Sequence, residues 1–112
     1  MEKVTFDMIK EAAETIKGSV KRTPIIECPQ LEKITGNKVF FKLENLQKTG
    51  SFKVRGALNK IMHLTEEEKA NGVIASSAGN HAQGVALGAT TFGIKSTIVM
   101  PGTAPLDRKS VV

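Results

Sequence analysis

A strand, a loop of small residues, a helix and a second strand follow one another between residues 73 and 100. The apolar segments 73–75 and 97–100 have the character of buried strands, while 76–80 is a loop and the helix after it ends near Ala89. Two strands joined through a helix form a βαβ unit, whose strands run parallel with a right-handed crossover. The sequence therefore predicts an α/β fold, a three-layer open twisted sheet with a parallel βαβ unit.

Outside this unit the sequence predicts four helices and two extended segments. The helices are expected at 6–16, 29–34, 52–62 and from 65 to about 72, and the extended segments at 25–26 and 39–43. Thr5 and Ser51 can cap the first and third helices, while Thr65 and Glu68 form a capping box for the fourth. In the first helix, an apolar face is expected from four residues at helical spacing: Phe6, Ile9, Ala13 and Ile16.

Composition excludes several classes of protein. The 112 residues suffice for one domain at most, and the shares of hydrophobic residues (40%) and charged residues (24%) are those of a globular protein. Apolar runs are only a few residues long, the N-terminus has no apolar signal segment, and Cys28 is the single cysteine. We therefore expect a cytoplasmic protein without membrane association, with Cys28 as a small core residue.

Charge and histidine content argue against two further kinds of partner. The net charge is +5, but the basic residues are dispersed and there is no Trp or Tyr to stack on bases, so no nucleic-acid partner is expected. His63 and His81 have no carboxylate or cysteine at the spacing of metal ligands, so we predict no metal site.

The loop at residues 76–81 is the first candidate for chemistry. It joins the end of a predicted strand to the start of a helix, where ligands bind in open α/β sheets and where the helix dipole favours an anion. Ser76, Ser77 and Asn80 could donate hydrogen bonds to that anion. The alternative is an ordinary turn, in which the serine and asparagine side chains only cap the helix.

Lys53 is the second candidate. It lies in the first turn of a predicted helix, where the dipole disfavours an ammonium group, and burial by neighbours such as Phe52 would favour the neutral amine further. A neutral amine is the nucleophile that Schiff-base chemistry requires. The alternative is a solvated surface lysine, one of thirteen in the chain.

Three segments together resemble the threonine dehydratase group of pyridoxal-phosphate enzymes. Residues 42–57 (KLENLQKTGSFKVRGA) resemble the group's cofactor-lysine segment, and 76–84 (SSAGNHAQG) resemble its substrate-carboxylate loop. Residues 100–105 (MPGTAP) are similar to the strand end that follows, and the resemblance extends from about Phe6 to Arg108. It implies a partial fold-type II pyridoxal-phosphate enzyme fold.

The resemblance also implies residue roles. Lys53 would bind pyridoxal 5'-phosphate covalently and, once a substrate amine has displaced it, would remove the Cα proton. Phe52 would pack against the cofactor, and Asn80 would hydrogen-bond its 3′-oxygen. The substrate carboxylate would bind to four loop residues: Ser77, Gly79, Asn80 and His81. The implied reaction is the dehydration and deamination of threonine to 2-oxobutanoate and ammonia.

Position 78 separates members of the group. Serine racemases resemble this loop but have a serine there as the second acid/base, whereas Ala78 has no proton to exchange. Efficient racemisation is therefore not expected, whereas dehydration needs only the lysine face and stays possible. A serine dehydratase or another β-eliminating enzyme remains an alternative, β-replacement is a weaker one, and a non-catalytic binding or dimerisation module is the alternative from another class.

One feature departs from the group's pattern. Its members hold the cofactor phosphate with consecutive glycines well downstream, whereas no two of the ten glycines here are adjacent. We expect residues 1–48 to be the N-terminal part of a larger cofactor domain and 49–112 the incomplete start of a smaller one. We accordingly expect a fragment that is inactive alone and exposes apolar surface, and a homo-oligomeric full-length enzyme.

Overall fold

A computed structural model of the protein describes residues 3–105, and its elements follow the predicted order. The helices are α1 (Phe6–Thr15), α2 (Pro29–Thr35), α3 (Lys53–Met62), α4 (Glu66–Asn71) and α5 (Asn80–Thr91). The strands are β1 (Ile25–Glu27), β2 (Phe40–Lys42), β3 (Val73–Ser76) and β4 (Ser96–Val99), and two 3₁₀ turns occupy Glu44–Leu46 and Lys48–Gly50. The end of the predicted segment 49–112, including Arg108, lies outside the described residues.

The helix ends form where the sequence marks them. The Thr5 hydroxyl accepts a hydrogen bond from the Met8 amide at 3.3 Å, which caps α1. Thr65 and Glu68 make both bonds of the predicted capping box at the start of α4. Gly36 ends α2 at φ +71°, a left-handed conformation that glycine adopts without steric cost.

The strands form two separate pairs in the described part of the chain. β3 and β4 are parallel, in a register from Val73 opposite Ser96 to Ser76 opposite Val99, which confirms the predicted βαβ unit. β1 and β2 are antiparallel. The α/β class is therefore confirmed, with the parallel part of the sheet represented by β3 and β4.

Helix α5 occupies the centre of the packing. It contacts both parallel strands and, most extensively, α3. One core cluster consists of Ile16, Val54 and Leu58, with Val20 and Leu87 packed against it. A second consists of Ile61, Ala89 and Ile94, with Leu64 and Val73 against it. The first cluster joins side chains from both sides of position 48, where the sequence analysis places a domain boundary; that boundary remains a prediction.

The described residues do not close around a single core. Their radius of gyration is 16.6 Å, whereas a compact domain of this length has a value of about 13 Å. Phe6 and Ile74 are 72% and 74% exposed. Helix α1 forms as predicted, but none of its residues is buried, and of the expected apolar face only Ile16, just beyond the helix, is buried. Between residues 3 and 105, no helix has both the length and the apolar character needed to cross a membrane.

Candidate active site

Lys53 is the first residue of α3, and its side chain is exposed. Its amide donates a hydrogen bond to the Ser51 hydroxyl at 3.4 Å, but the N-cap position is occupied by Phe52 and not, as the sequence predicts, by Ser51, because the helix begins one residue later. Its Nζ atom lies 5.1 Å from the centre of the Phe52 ring, and it enters no ion pair found within residues 3–105. The amine is therefore accessible, while the burial that the sequence analysis considered is not provided by the described residues.

The turn that leads into α3 is strained. Thr49 and Gly50 both have positive φ values, of +63° and +69°. Glycine tolerates this conformation, but a β-branched residue does so at a cost of about 1–3 kcal/mol. The Thr49 hydroxyl is also buried without a hydrogen-bond partner in the described structure. Surrounding contacts must hold such a turn in place.

Arg55, in the first turn of α3, forms a bidentate ion pair with Glu44. The Nε and Nη2 atoms of Arg55 donate to the two carboxylate oxygens of Glu44 at 2.9 and 2.8 Å. The Thr23 hydroxyl donates to the same carboxylate at 2.6 Å, and Thr23 is buried. This arrangement ties α3, two residues after Lys53, to the segment that precedes β1.

Hydrogen bonds of Gln47 connect the strained turn to the segment that precedes β1. Its buried side chain accepts from the Lys21 amide at 2.9 Å and donates to the Lys21 carbonyl at 2.8 Å. The same side-chain oxygen accepts from the Lys48 amide at 3.0 Å. A buried amide with its donor and acceptor groups satisfied fixes its neighbours firmly, since breaking the bonds leaves desolvated polar groups. The hydrogen bonds of three side chains therefore stabilise the turn before α3 and the first turn of this helix: those of Glu44, Gln47 and Arg55. These roles were not predicted from the sequence.

The ion pair changes the titration of Glu44. Its pKa falls from the ordinary value of 4.5 to about 2, chiefly because Arg55 hydrogen-bonds to the ionised carboxylate. Burial acts in the opposite direction, and the hydrogen bond from Thr23 lowers the pKa further. The same pair raises the pKa of Arg55. The carboxylate is thus ionised throughout the pH range in which most enzymes work.

We expect Glu44→Gln to lower the free energy of unfolding by about 2 kcal/mol at neutral pH, since it leaves a half-buried guanidinium without its partner. Folding lowers the pKa of Glu44, so its charge stabilises the folded state above pH 4.5 and this contribution is lost as pH falls towards 2. Urea unfolding from pH 2 to neutral pH should show the difference from the unmodified chain shrinking below pH 4.5. A difference independent of pH would contradict this.

Glu66→Gln is the matched control for Glu44→Gln. Glu66 pairs with Lys69 at 2.7 Å, but its side chain is 90% exposed. Such surface pairs contribute less than about 1 kcal/mol. The control should therefore remain near the stability of the unmodified chain across the same pH range.

The loop before α5 uses Ser77 as a cap. The Ser77 hydroxyl oxygen accepts from the amides of Gly79 and Ala82 at 3.2 and 3.3 Å, and the Ser77 amide donates to the Val99 carbonyl at 3.0 Å. The capping alternative of the sequence analysis is therefore observed for this oxygen. Its hydroxyl hydrogen can still be donated to a ligand, so capping and anion binding are compatible at Ser77.

Helix α5 brings the two candidate regions together. Asn80 and His81, which are exposed, begin this helix, and one turn later Gly84 packs against the backbone of Lys53. The 3₁₀ turn at Lys48–Gly50 also contacts α5. The lysine and the small-residue loop, separated by more than twenty positions in sequence, thus lie at the starts of two helices in direct contact.

The available groups fit the reactive end of a pyridoxal-phosphate cofactor. An accessible primary amine can form an imine with an aldehyde, the exposed Phe52 ring offers an aromatic face, and the Ser77 hydroxyl can bind an anion. The sequence has no consecutive glycines to hold the phosphate. The residues present therefore suit the aldehyde of the cofactor and the substrate, but they do not include the glycines that would bind the phosphate.

This combination of a parallel βαβ unit, a helix-start lysine and a small-residue loop defines a class of cofactor-dependent enzymes. Residues 16–112 match the family described as pyridoxal-phosphate dependent enzyme, and the chain belongs to that family. The relatives identify a narrower group within it. The chain is 58% identical over 105 residues to the L-threonine ammonia-lyase of Thermotoga maritima, covering 94% of this chain and 26% of the relative.

Two further comparisons complete this placement. The catabolic L-threonine dehydratase TdcB of Staphylococcus aureus is 59% identical over 103 residues, covering 91% of this chain and 30% of the relative. Maize serine racemase matches the structure with a TM-score of 0.89 and 42% identity, over 97% of this chain and 33% of that chain. The chain thus spans less than a third of the length of either dehydratase relative. The resemblance to the threonine dehydratase group is confirmed.

Proposed function

We propose that this chain supplies the lysine-bearing part of a threonine ammonia-lyase active site, which dehydrates and deaminates L-threonine to 2-oxobutanoate and ammonia. The observation that carries the proposal is the contact of α5 with the start of α3: the helix that begins with Asn80 and His81 packs, at Gly84, against the backbone of the accessible Lys53. The names and the identity of the two dehydratase relatives support the choice of threonine as substrate.

Lys53 has two tasks in this proposal. Its Nζ would hold the cofactor and, when not bonded to it, would accept the proton from the substrate Cα. When bound, pyridoxal phosphate supplies an electron sink for the electrons released at Cα. The accessible amine can reach a ligand, and the Arg55–Glu44 pair holds the helix turn that carries it.

The loop binds and orients the substrate in the same proposal. Four residues would receive the carboxylate: Ser77, Gly79, Asn80 and His81. Ser77 would donate its hydroxyl hydrogen while its oxygen continues to cap the helix. Phe52 would pack against the cofactor ring, and Asn80 would donate to the ring oxygen. Holding the carboxylate at one end orients the Cα–H bond towards Lys53.

A chimera tests the proposed reaction. In it, this chain replaces the matching 26% of the Thermotoga maritima lyase, which then provides the rest of the protein. We expect the chimera to release 2-oxobutanoate and ammonia from threonine, measured in a keto-acid assay beside the unmodified lyase. A folded chimera without turnover of threonine would contradict the proposal, and a strong preference for serine would favour the serine dehydratase alternative.

The 112-residue chain alone should show no turnover in this assay. Our reason is the absence of consecutive glycines for the phosphate, which leaves the cofactor weakly held. Turnover by the chain alone would contradict this part of the proposal.

Racemisation of serine by the chimera should stay low, because Ala78 cannot deliver a proton from the second face of the substrate.

A further inference from the structure

Gly84 brings α5 close to the backbone of Lys53. A Cβ atom at this position would lie 3.1 Å from both the carbonyl carbon and the carbonyl oxygen of Lys53, and 3.2 Å from the amide nitrogen of Val54. These distances are shorter than ordinary van der Waals contact. Because the neighbouring atoms belong to the backbone, they cannot rotate away as a side chain can.

Gly88, one turn later on the same helix, differs in what it faces. A Cβ there would lie 2.8 Å from Cδ1 of Ile61, the far end of a flexible side chain. Ile61 belongs to the second half of α3, two turns after Lys53. An added methyl group at Gly88 would thus displace a side chain, while the same group at Gly84 would displace the peptide that carries Lys53.

The loop is connected to the same contact. The Ala82 amide donates to the Ser77 hydroxyl, so the loop is bonded to the first turn of α5, two residues before Gly84. The Arg55–Glu44 pair fixes the first turn of α3, to which Lys53 belongs. A shift between α5 and α3 at Gly84 therefore changes the separation between Lys53 and the loop.

We propose that Gly84 is a positioning residue, which determines the distance between the Lys53 backbone and the proposed carboxylate-binding loop. This proposal rests on the proposed function. Its lack of a side chain permits the close contact, and any larger residue separates the two parts of the site. Gly84 itself touches neither substrate nor cofactor in this proposal; it acts through the position of Lys53.

The experiment compares Gly84→Ala with Gly88→Ala, which add the same methyl group to the same helix. The first readout is amide hydrogen exchange in the full 112-residue chain and in the chimera, and it does not depend on the cofactor. The second is the fraction of Lys53 that borohydride traps after addition of pyridoxal phosphate to the chimera, measured by peptide mass spectrometry.

We expect Gly84→Ala to speed exchange in the first turn of α3 about tenfold or more and to lower the trapped fraction at Lys53 severalfold. Gly88→Ala should change exchange around Ile61 and leave the trapping at Lys53 within twofold. Equal effects of the two variants on the first turn and on trapping, or no effect of Gly84→Ala, would overturn the proposal.

The same samples also cover two other results: a chimera that is not trapped at Lys53, and a Gly84→Ala variant that does not fold. If the unmodified chimera is not trapped at Lys53, the proposed function fails, and hydrogen exchange alone decides the role of Gly84. If circular dichroism indicates that Gly84→Ala does not fold, the unmodified protein is exchanged in increasing urea. The first turn of α3 and residues 77–81 should then lose protection at the same urea concentration; separate midpoints would overturn the proposal.

Discussion

Lys53→Ala should lower threonine turnover by the chimera at least about a thousand-fold, because the variant loses both the covalent attachment of the cofactor and the base for the Cα proton. Alanine leaves a good helix former at the start of α3, so the loss should not come from unfolding. The assay of 2-oxobutanoate measures turnover, and borohydride trapping with mass spectrometry measures attachment. Both signals should disappear together.

Lys60→Ala is the matched control for this experiment. Lys60 lies on the same helix, seven residues after Lys53, and is also exposed. Its removal changes the net charge by the same amount without touching the proposed site. The control should keep turnover within about twofold of the unmodified chimera, as surface substitutions usually change stability little. Trapping at another lysine in Lys53→Ala, with turnover retained, would show that Lys53 is not the attachment site.

Most elements could be predicted because their boundaries are set by nearby residues. The Thr65–Glu68 capping box acts over three positions, and Gly36 ends α2 through its own φ angle. The parallel pairing of β3 and β4 was predicted because a long crossover through a helix is typical of parallel strands. The rule is not general, since the short helix α2 lies between the antiparallel strands β1 and β2. In contrast, the burial of α1 depends on what covers it, and helical periodicity alone could not predict that its apolar side chains lie exposed.

The candidate site was only partly predictable for the same reason. Lys53 and the loop could be found from local motifs, and the resemblance gave them roles. The support by Glu44 and Arg55 was missed, because the two residues lie eleven positions apart across two 3₁₀ turns, a spacing that no regular element pairs. A glycine at position 84 gave no signal of its own, since its significance depends on the helix that packs against it.

Leu58→Ala should cause the largest loss of stability among core substitutions between residues 3 and 105. Leu58 is 1% exposed and packs with Ile16 and Val54 in the cluster that joins the N-terminal region to α3. Removing a buried leucine side chain costs about 2–5 kcal/mol, because transfer free energy is lost and a cavity remains. We expect about 3 kcal/mol, measured as a lower urea midpoint of the 112-residue chain.

Leu46→Ala provides the same chemical change at a residue that is 49% exposed. It should cost less than about 1 kcal/mol, because most of the removed surface already faces water and little cavity forms. If both variants shift the midpoint equally, the cluster around Leu58 does not form in the isolated chain. If only Leu58→Ala lowers the midpoint, the residues before position 48 share one core with the helix that carries Lys53. In that case packing from the N-terminal region fixes this helix together with the Arg55–Glu44 pair.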